Sequence, residues 1–213
     1  MHADPAAPDH ARTFADGYLA EDDVLLGARR RARSAGTEPV GEAGGATLCF
    51  LAATIGARAV VEVGTGTGVS GLWLLRGMAA DGVLTSIDVD PENQRAARAA
   101  CLAAGYGAGR LRLINGMGLE VLPRLTDGAY DLVFVDSVPV EYPPYLDEAV
   151  RLLRPGGLVV LDDVLRGGRI SDVAATDPAT AAVREVSRQV RDDERLVPVL
   201  LPVGDGLLCA LRK

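Results

Sequence analysis

The sequence predicts an α/β fold: a doubly wound sheet of about seven strands, mostly parallel, with an antiparallel C-terminal hairpin strand. Three observations predict it. Residues 59–63 form a short apolar run rich in β-branched residues, glycines follow at alternate positions (Gly64, Gly66, Gly68), and a hydrophobic helical pattern runs from Val69 to Met78. That order of strand, tight glycine loop and helix is the first unit of a Rossmann-like sheet, with room for a ligand over the helix N-terminus. Further strand–helix alternations follow, and the chain closes on two apolar runs around Gly204-Asp205-Gly206, which reads as a hairpin. No repeat and no linker interrupts the 213 residues, so one domain is expected.

Taken in order, residues 1–8 are rich in Ala, Pro and Asp and read as a flexible tail. A helical pattern from Asp9 to Ala35 ends at the breaker Gly36-Thr37-Glu38-Pro39. A second helix, Gly41 to Ile55, sets Leu48, Leu51, Ala52 and Ile55 on one face, and the sheet-building core spans 59–213. Trp73 sits among apolar neighbours and reads as core. Val83 to Val89 is the second strand; Asp90 then supplies an N-cap and Pro91 the first residue of a helix reaching Ala104. Arg110 to Ile114 is the third strand, turned by Asn115-Gly116-Met117-Gly118. Tyr130 to Val135 is a continuous apolar run, the kind buried in a parallel sheet. A helix from Glu141 to Leu153 is expected to stop at Pro155-Gly156-Gly157, with Leu158 to Leu161 as the fifth strand. Asp177-Pro178 opens a last helix with Ala182, Val183, Val186 and Val190 inward and Arg184, Arg188 and Arg191 outward. Val197–Val203 and Leu207–Leu211 make the hairpin.

Composition narrows the function classes. A formal net charge of −7 argues against nucleic acid as a partner, because a phosphate footprint needs a basic face. Arg29-Arg30-Arg31-Ala32-Arg33 is the exception, and it reads as a solvated helix face behind Glu21-Asp22-Asp23. No apolar run is long enough for a membrane span and no signal-peptide core is present, so a cytoplasmic protein is expected. Cys49, Cys101 and Cys209 are odd in number, far apart and set in apolar contexts, which suits reduced core thiols. The only lysine is Lys213 and the only histidines are His2 and His10, so catalysis has to run on Asp, Glu, Tyr, Arg, Ser, Cys or a metal.

In an open α/β sheet the ligand sits beyond the carboxyl ends of the strands. Those ends carry Glu62 with the glycine loop, Asp88, Asn115-Gly116, Asp136 and Asp162-Asp163. Glu62 discriminates between ligands. A loop that cradles a pyrophosphate gains nothing from a further negative charge, whereas S-adenosylmethionine carries both a sulfonium and an ammonium. Asp88, about 24 residues after Gly64, lies near the spacing at which an acid grips both ribose hydroxyls. Asp136, Asp162 and Asp163 are expected to converge from neighbouring strands. Carboxylates 4–5 Å apart repel by about 3–4 kcal/mol at an effective dielectric near 20, so the group needs a cation or a retained proton. An all-oxygen set suits Mg²⁺, Mn²⁺ or Ca²⁺; alternatively Asp163 caps the next turn and Arg166 or Arg169 neutralises the group.

At this level of detail the chain resembles the small S-adenosylmethionine-dependent O-methyltransferases of the catechol and caffeoyl-CoA type, over nearly everything from Glu38 to Arg169. Pro39-Val40-Gly41-Glu42-Ala43-Gly44-Gly45 is similar to the segment that contacts the methionine part of the cofactor. Glu62-Val63-Gly64-Thr65-Gly66-Thr67-Gly68 with Ser70 resembles the acid, loop and serine that hold its amino-acid end. Ile87-Asp88-Val89-Asp90-Pro91 resembles the ribose segment, and the turn around Gly118 the adenine side. The resemblance implies cofactor contacts from Val40, Glu62, Gly64, Thr65, Gly66, Ser70, Asp88, Val89, Gly118 and Asp136, and metal ligands Asp136, Asp162 and Asp163. It also implies a homodimer, with the N-terminal helices as the contact. Two positions depart from the family: Pro139 stands where a lysine base is usual, and Asp163 where asparagine is usual.

The expected activity is therefore methyl transfer from S-adenosylmethionine to an oxygen of a small hydroxylated, aromatic and catechol-like acceptor, with Asp136 in the catalytic position and a divalent cation assisting. Two rivals stand beside it. One is a cofactor-binding protein without turnover, kept open by Pro139. The other is a nicotinamide-dependent oxidoreductase, opposed by Glu62 and by the absence of a Tyr-x-x-x-Lys pair.

Overall fold

The computed structural model describes residues 7–213. Of the tail expected over residues 1–8, residues 1–6 lie outside the described residues, as does His2, and a helix takes up the last two. The order is α1 (Ala7–Asp16), α2 (Asp23–Ala35), α3 (Glu42–Thr54), β1 (Ala59–Val63), α4 (Val69–Gly77), β2 (Val83–Asp88), α5 (Pro91–Ala103) and β3 (Leu111–Asn115). It continues with α6 (Gly118–Val121), β4 (Tyr130–Val135), α7 (Tyr142–Leu152), β5 (Leu153–Leu161), α8 (Pro178–Asp192), β6 (Leu196–Leu201) and β7 (Leu207–Arg212). One sheet of seven strands runs β3-β2-β1-β4-β5-β7-β6, and β7 alone is antiparallel to its neighbours. The sequence-based expectation for fold and strand count holds.

The chain lays β1, β2 and β3 outward in one direction, then returns to place β4 beside β1. That reversal is the switch point at which a doubly wound sheet opens a crevice. Alternation along each strand divides the core. Val61, Val63, Val133, Val135, Val159 and Leu161 pack on the side covered by α7 and α8. Val60, Leu132, Phe134 and Val160 pack on the side of α2, α3 and α4, with Leu48, Leu72 and Trp73.

Local signals place the helix ends. The Asp90 carboxylate accepts Glu92 N–H at 2.8 Å ahead of Pro91, and the Asp177 carboxylate accepts Thr180 N–H at 3.0 Å ahead of Pro178. The single helix expected from Asp9 to Ala35 is two. Asp22 caps α2 by accepting Leu25 N–H at 3.0 Å, and its carboxylate also meets Arg76 on α4 at 2.6 Å. The arginine cluster is solvated at Arg30, Arg31 and Arg33 but not at Arg29, which is buried and paired with Glu21 through two bonds of 2.6 and 2.8 Å. Glu21 also accepts the Trp73 indole N–H at 3.1 Å, so the link between α1 and α2 is pinned to the core.

Pro155-Gly156-Gly157 does not stop a helix short of the strand. Leu153 follows α7 directly and already pairs with Tyr130, and the three residues form a bulge before pairing resumes at Leu132 and Leu158. On α8, Val183, Val186 and Val190 are buried and Arg188 and Arg191 exposed, as expected. Arg184 differs: its guanidinium donates to the carbonyls of Arg169, Ile170, Asp172 and Ala175, drawing the loop after β5 around one side chain. All three cysteines are free. Burial pushes the Cys101 and Cys209 thiols up to about 12, so both act as packing residues. No helix among the described residues is long and apolar enough to cross a membrane.

Candidate functional site

Strand register assembles the site. Just beyond the paired residues, Gly116 N–H donates to Asp88 O (3.0 Å), Gly64 N–H to Ile87 O (2.9 Å), Asp136 N–H to Val63 O (2.9 Å) and Asp162 N–H to Val135 O (3.0 Å). These bonds bring Gly116, Asp88, Gly64, Asp136 and Asp162 to one edge of the sheet, from the ends of five strands. A cavity of about 530 Å³ opens over this edge, and a second of about 390 Å³ adjoins it.

The glycine loop forms the floor of the larger cavity. Gly64 has φ +99°, and a Cβ there would lie 1.8 Å from the Asp136 carbonyl oxygen, so only glycine lets the two strand ends meet. At Gly66, φ is +48° and nothing stands within 4 Å of a would-be Cβ, so the loop is open on the cavity side. Asp88 braces the loop: one carboxylate oxygen accepts Gly66 N–H at 2.9 Å and the other accepts Asp90 N–H at 2.8 Å. Asn93 Nδ2 also donates to the first oxygen, at 3.5 Å, so the second oxygen is the one that keeps a lone pair for a further donor.

Of the residues singled out from the sequence, Gly64, Thr65, Gly66, Ser70, Asp88, Val89, Gly118 and Asp136 line the larger cavity. Val40 lines the second one, with Asp162 and Asp163. Glu62 lines neither. Strand alternation places it on the α4 side with Val60, fully buried, where it accepts the Ser70 hydroxyl at 2.6 Å and the Ser86 hydroxyl at 2.5 Å. Thr65 and Ser86 hydroxyls lie 2.7 Å apart, which extends this buried chain beneath the loop. Glu62 was expected to contact the ligand; in this structure its carboxylate lies beneath the loop, bonded to Ser70 and Ser86.

Burial drives the Glu62 carboxyl up to about 7, against the pull of its two serine partners. Its ordinary value is near 4.5, so between these limits the folded protein holds a proton that the unfolded chain has lost. Stability then falls as pH rises from about 4.5 to about 7, by about 3 kcal/mol in all. Glu62→Gln keeps the shape without the titration and is expected to remove that share of the pH dependence. Urea denaturation of both proteins from pH 4.5 to 8 measures it; equal pH slopes would refute the assignment.

Glu38, Pro39 and Asp136 line both cavities, and of these Asp136 stands at a strand end. No hydrogen bond from the described residues reaches its carboxylate, and burial, then the nearby Asp162, Glu62, Asp163 and Asp205, raises its pKa well above the carboxylate range. Burial likewise lifts Asp162 to about 6, although Asp162 accepts the Asp163 N–H at 2.7 Å. As anticipated, β5 ends at Leu161, and with Asp163 at φ +52° both carboxylates reach the second cavity. The three aspartates nevertheless do not make a ligand set. Asp163 is ion-paired with Arg166, and no group of three or more His, Cys, Asp or Glu side chains among the described residues is arranged for a metal ion. Of the two arginines weighed as neutralisers, Arg169 pairs instead with Asp177 at 2.6 Å.

Tyr142 and Tyr145 separate in role. The Tyr142 hydroxyl, fully buried, donates to Asp162 O at 3.0 Å and holds the end of β5. Tyr145 borders the larger cavity, donates to Glu141 at 2.6 Å, and lies where a Cβ on Gly118 would meet its hydroxyl at 2.7 Å. Sequence reasoning missed Thr67, whose hydroxyl ties the loop to α2 through Ala28 O at 2.8 Å, and Asn93 on the cavity wall. Thr67 carries no local signal for a partner so distant in sequence. Asn93 was accessible as the third residue of a helix that starts directly after Asp88.

The sequence profile of the O-methyltransferase family matches residues 25–213. A relative from Mycolicibacterium vanbaalenii, provisionally named an O-methyltransferase, is 56% identical over 198 residues, covering 93% of this chain and 88% of its own length. Among solved structures, a Corynebacterium glutamicum protein is similar with TM-score 0.90 and 33% identity, covering 97% of each chain. The O-methyltransferase TomG of Streptomyces achromogenes, solved with S-adenosylmethionine, is similar with TM-score 0.85 and 28% identity, covering 94% of each.

Proposed function

The chain belongs to the O-methyltransferase family, and from that premise we propose that it moves the methyl group of S-adenosylmethionine onto an oxygen of a small hydroxylated acceptor. The observation that carries this reading is the position of Asp136 between the two cavities. One cavity suits the donor, the adjoining one the acceptor, and the reacting atoms would meet at their shared wall.

The larger cavity fits the donor on its own terms. Asp88 has a lone pair free for one ribose hydroxyl, its long 3.5 Å bond from Asn93 can give way to the other, and the open space over Gly66 lets the backbone approach the ligand. Val89 and Gly118 line the same cavity and would meet the adenine, and Asp136, whose carboxylate accepts no hydrogen bond from the described residues, would meet the ammonium end. Glu62 contributes indirectly, through Ser70. S-adenosylmethionine supplies an electrophilic methyl on a sulfonium, which leaves as a thioether, so the acceptor hydroxyl has to give its proton to a base. Asp136 is the proposed base: it stands on the wall shared by the two cavities, and burial together with the neighbouring carboxylates raises its affinity for a proton. Pro139, on the cavity wall, offers no proton acceptor. Holding the acceptor oxygen in line with the methyl would supply most of the rate. The divalent cation expected from the sequence is not part of this reading, because Asp163 is already engaged by Arg166.

Titration calorimetry with S-adenosylmethionine tests the donor, and mass detection of methylated product over a panel of catechols and simple phenols tests the acceptor. Asp136→Asn is expected to lower turnover by about 10²-fold or more, the range of general base catalysis. Unchanged turnover would remove Asp136 from the chemistry. Binding without turnover on any acceptor would favour a silent cofactor-binding protein, and binding of NADH in place of S-adenosylmethionine would overturn the reading.

A further inference from the structure

We propose that Arg166 is a built-in cation that takes the place of a divalent metal, so that the acceptor half of this site works without one. The proposal rests on the methyltransferase reading above for what the site does, but not for how its charge is balanced. Arg166 and Asp163 form an ion pair on the wall of the second cavity, beside Asp136 and Asp162. A divalent ion on the three aspartates would need Asp163 to turn away from the guanidinium, and would then sit beside an unscreened positive charge.

The pair is built into the backbone. Asp163 and Arg166 are the only non-glycine residues with positive φ among the described residues, both at +52°. Such conformations persist where surrounding structure over-determines them. Here two clamps do so. On one side Val164 N–H donates to Gly206 O at 3.2 Å and Leu165 N–H to Asp205 O at 2.8 Å, and the missing Cβ of Gly206 makes room for Leu165, whose Cγ would otherwise lie 2.4 Å away. On the other side Arg184 gathers four carbonyls between Arg169 and Ala175. A merely local surface pair would leave its guanidinium in water. The Arg166 side chain is only 24% exposed, and its Nε is buried with no hydrogen-bond partner. An arginine held this firmly at a wall that also carries Glu38, Asp136, Asp162 and Asp205 balances charge inside the site.

The test is Mn²⁺ binding, followed by electron paramagnetic resonance and calorimetry, on the full chain as wild type, Arg166→Gln and Arg166→Lys. Wild type and Arg166→Lys are expected to bind Mn²⁺ no tighter than millimolar, and Arg166→Gln to gain at least tenfold in affinity. Catalysis by wild type is expected to be unchanged by EDTA. Stoichiometric micromolar Mn²⁺ binding by wild type, loss of turnover in EDTA with recovery in Mg²⁺, or no gain in Arg166→Gln would each overturn the proposal. Asp163→Asn is the second variant should Arg166→Gln fail to fold; it frees the guanidinium and is expected to keep Mn²⁺ binding as weak as wild type. Titration with S-adenosylmethionine is read separately, so failure of the donor reading is distinguishable from failure here.

Discussion

Gly64→Ala is expected to abolish cofactor binding and to destabilise the fold by roughly 3 kcal/mol or more, the range of a forced steric clash at a special backbone position. The added methyl would stand 1.8 Å from the Asp136 carbonyl oxygen, and φ at this position is +99°. Neither neighbour can yield cheaply, because Gly64 N–H is bonded to Ile87 O and Asp136 N–H to Val63 O. The ends of β1 and β4 would separate, and with them the floor of one cavity and the wall between both. For a domain of this size the melting temperature is expected to fall by roughly 6–12 °C. Gly66→Ala is the control. Its left-handed conformation costs about 1 kcal/mol for alanine, but its Cβ meets nothing within 4 Å. That variant should fold nearly as well as wild type while losing cofactor affinity, because its methyl enters the ligand space. Calorimetric melting and titration with S-adenosylmethionine separate the two effects. A Gly64→Ala protein that melts like wild type would mean that the strand ends are less constrained than their hydrogen bonds imply.

Asp88→Ala is expected to weaken S-adenosylmethionine binding by roughly 10²–10³-fold. The side chain does two things at once. Its carboxylate accepts Gly66 N–H and Asp90 N–H, which sets the shape of the glycine loop, takes a longer bond from Asn93 at 3.5 Å, and lines the cavity. Hydrogen bonds to an ionised acceptor contribute about 1.5–3 kcal/mol each, so losing two to the ribose accounts for the effect. Asp88→Asn keeps one acceptor oxygen and should fall between the two. Titration calorimetry reads both variants. An Asp88→Ala affinity within threefold of wild type would detach this residue from the donor.

Much of the site was legible because its parts are announced locally. Strand ends in a parallel sheet are marked where an apolar run meets an acid or a glycine, and five such ends supplied Gly64, Asp88, Gly116, Asp136 and Asp162 before any register was known. Asp90-Pro91 and Asp177-Pro178 are helix starts that depend on the next three residues alone. Where the sequence misled, the deciding partner was distant. Glu62 was assigned to the ligand on charge, yet Ser86, on the neighbouring strand, and Ser70, on α4, claim it. Arg184 was placed outward by helical periodicity, and the loop after β5 folds over it. Pro155-Gly156-Gly157 carries a stop signal, but pairing of Leu153 with Tyr130 absorbs it as a bulge.

By itself, then, the sequence determined most of the order and kind of the elements and which side chains stand at the carboxyl edge of the sheet, because these follow from short-range periodicity, capping and glycine chemistry. Only the tertiary structure decided which of those side chains look into the cavities. Glu62 turns beneath the loop by strand alternation, Asp136 becomes the wall between donor and acceptor spaces by the register of β1 and β4, and Arg166 reaches Asp163 only because two clamped residues hold a left-handed turn. Charge type can be read along a chain. The partner that a charge finds is set by distances that exist only after folding.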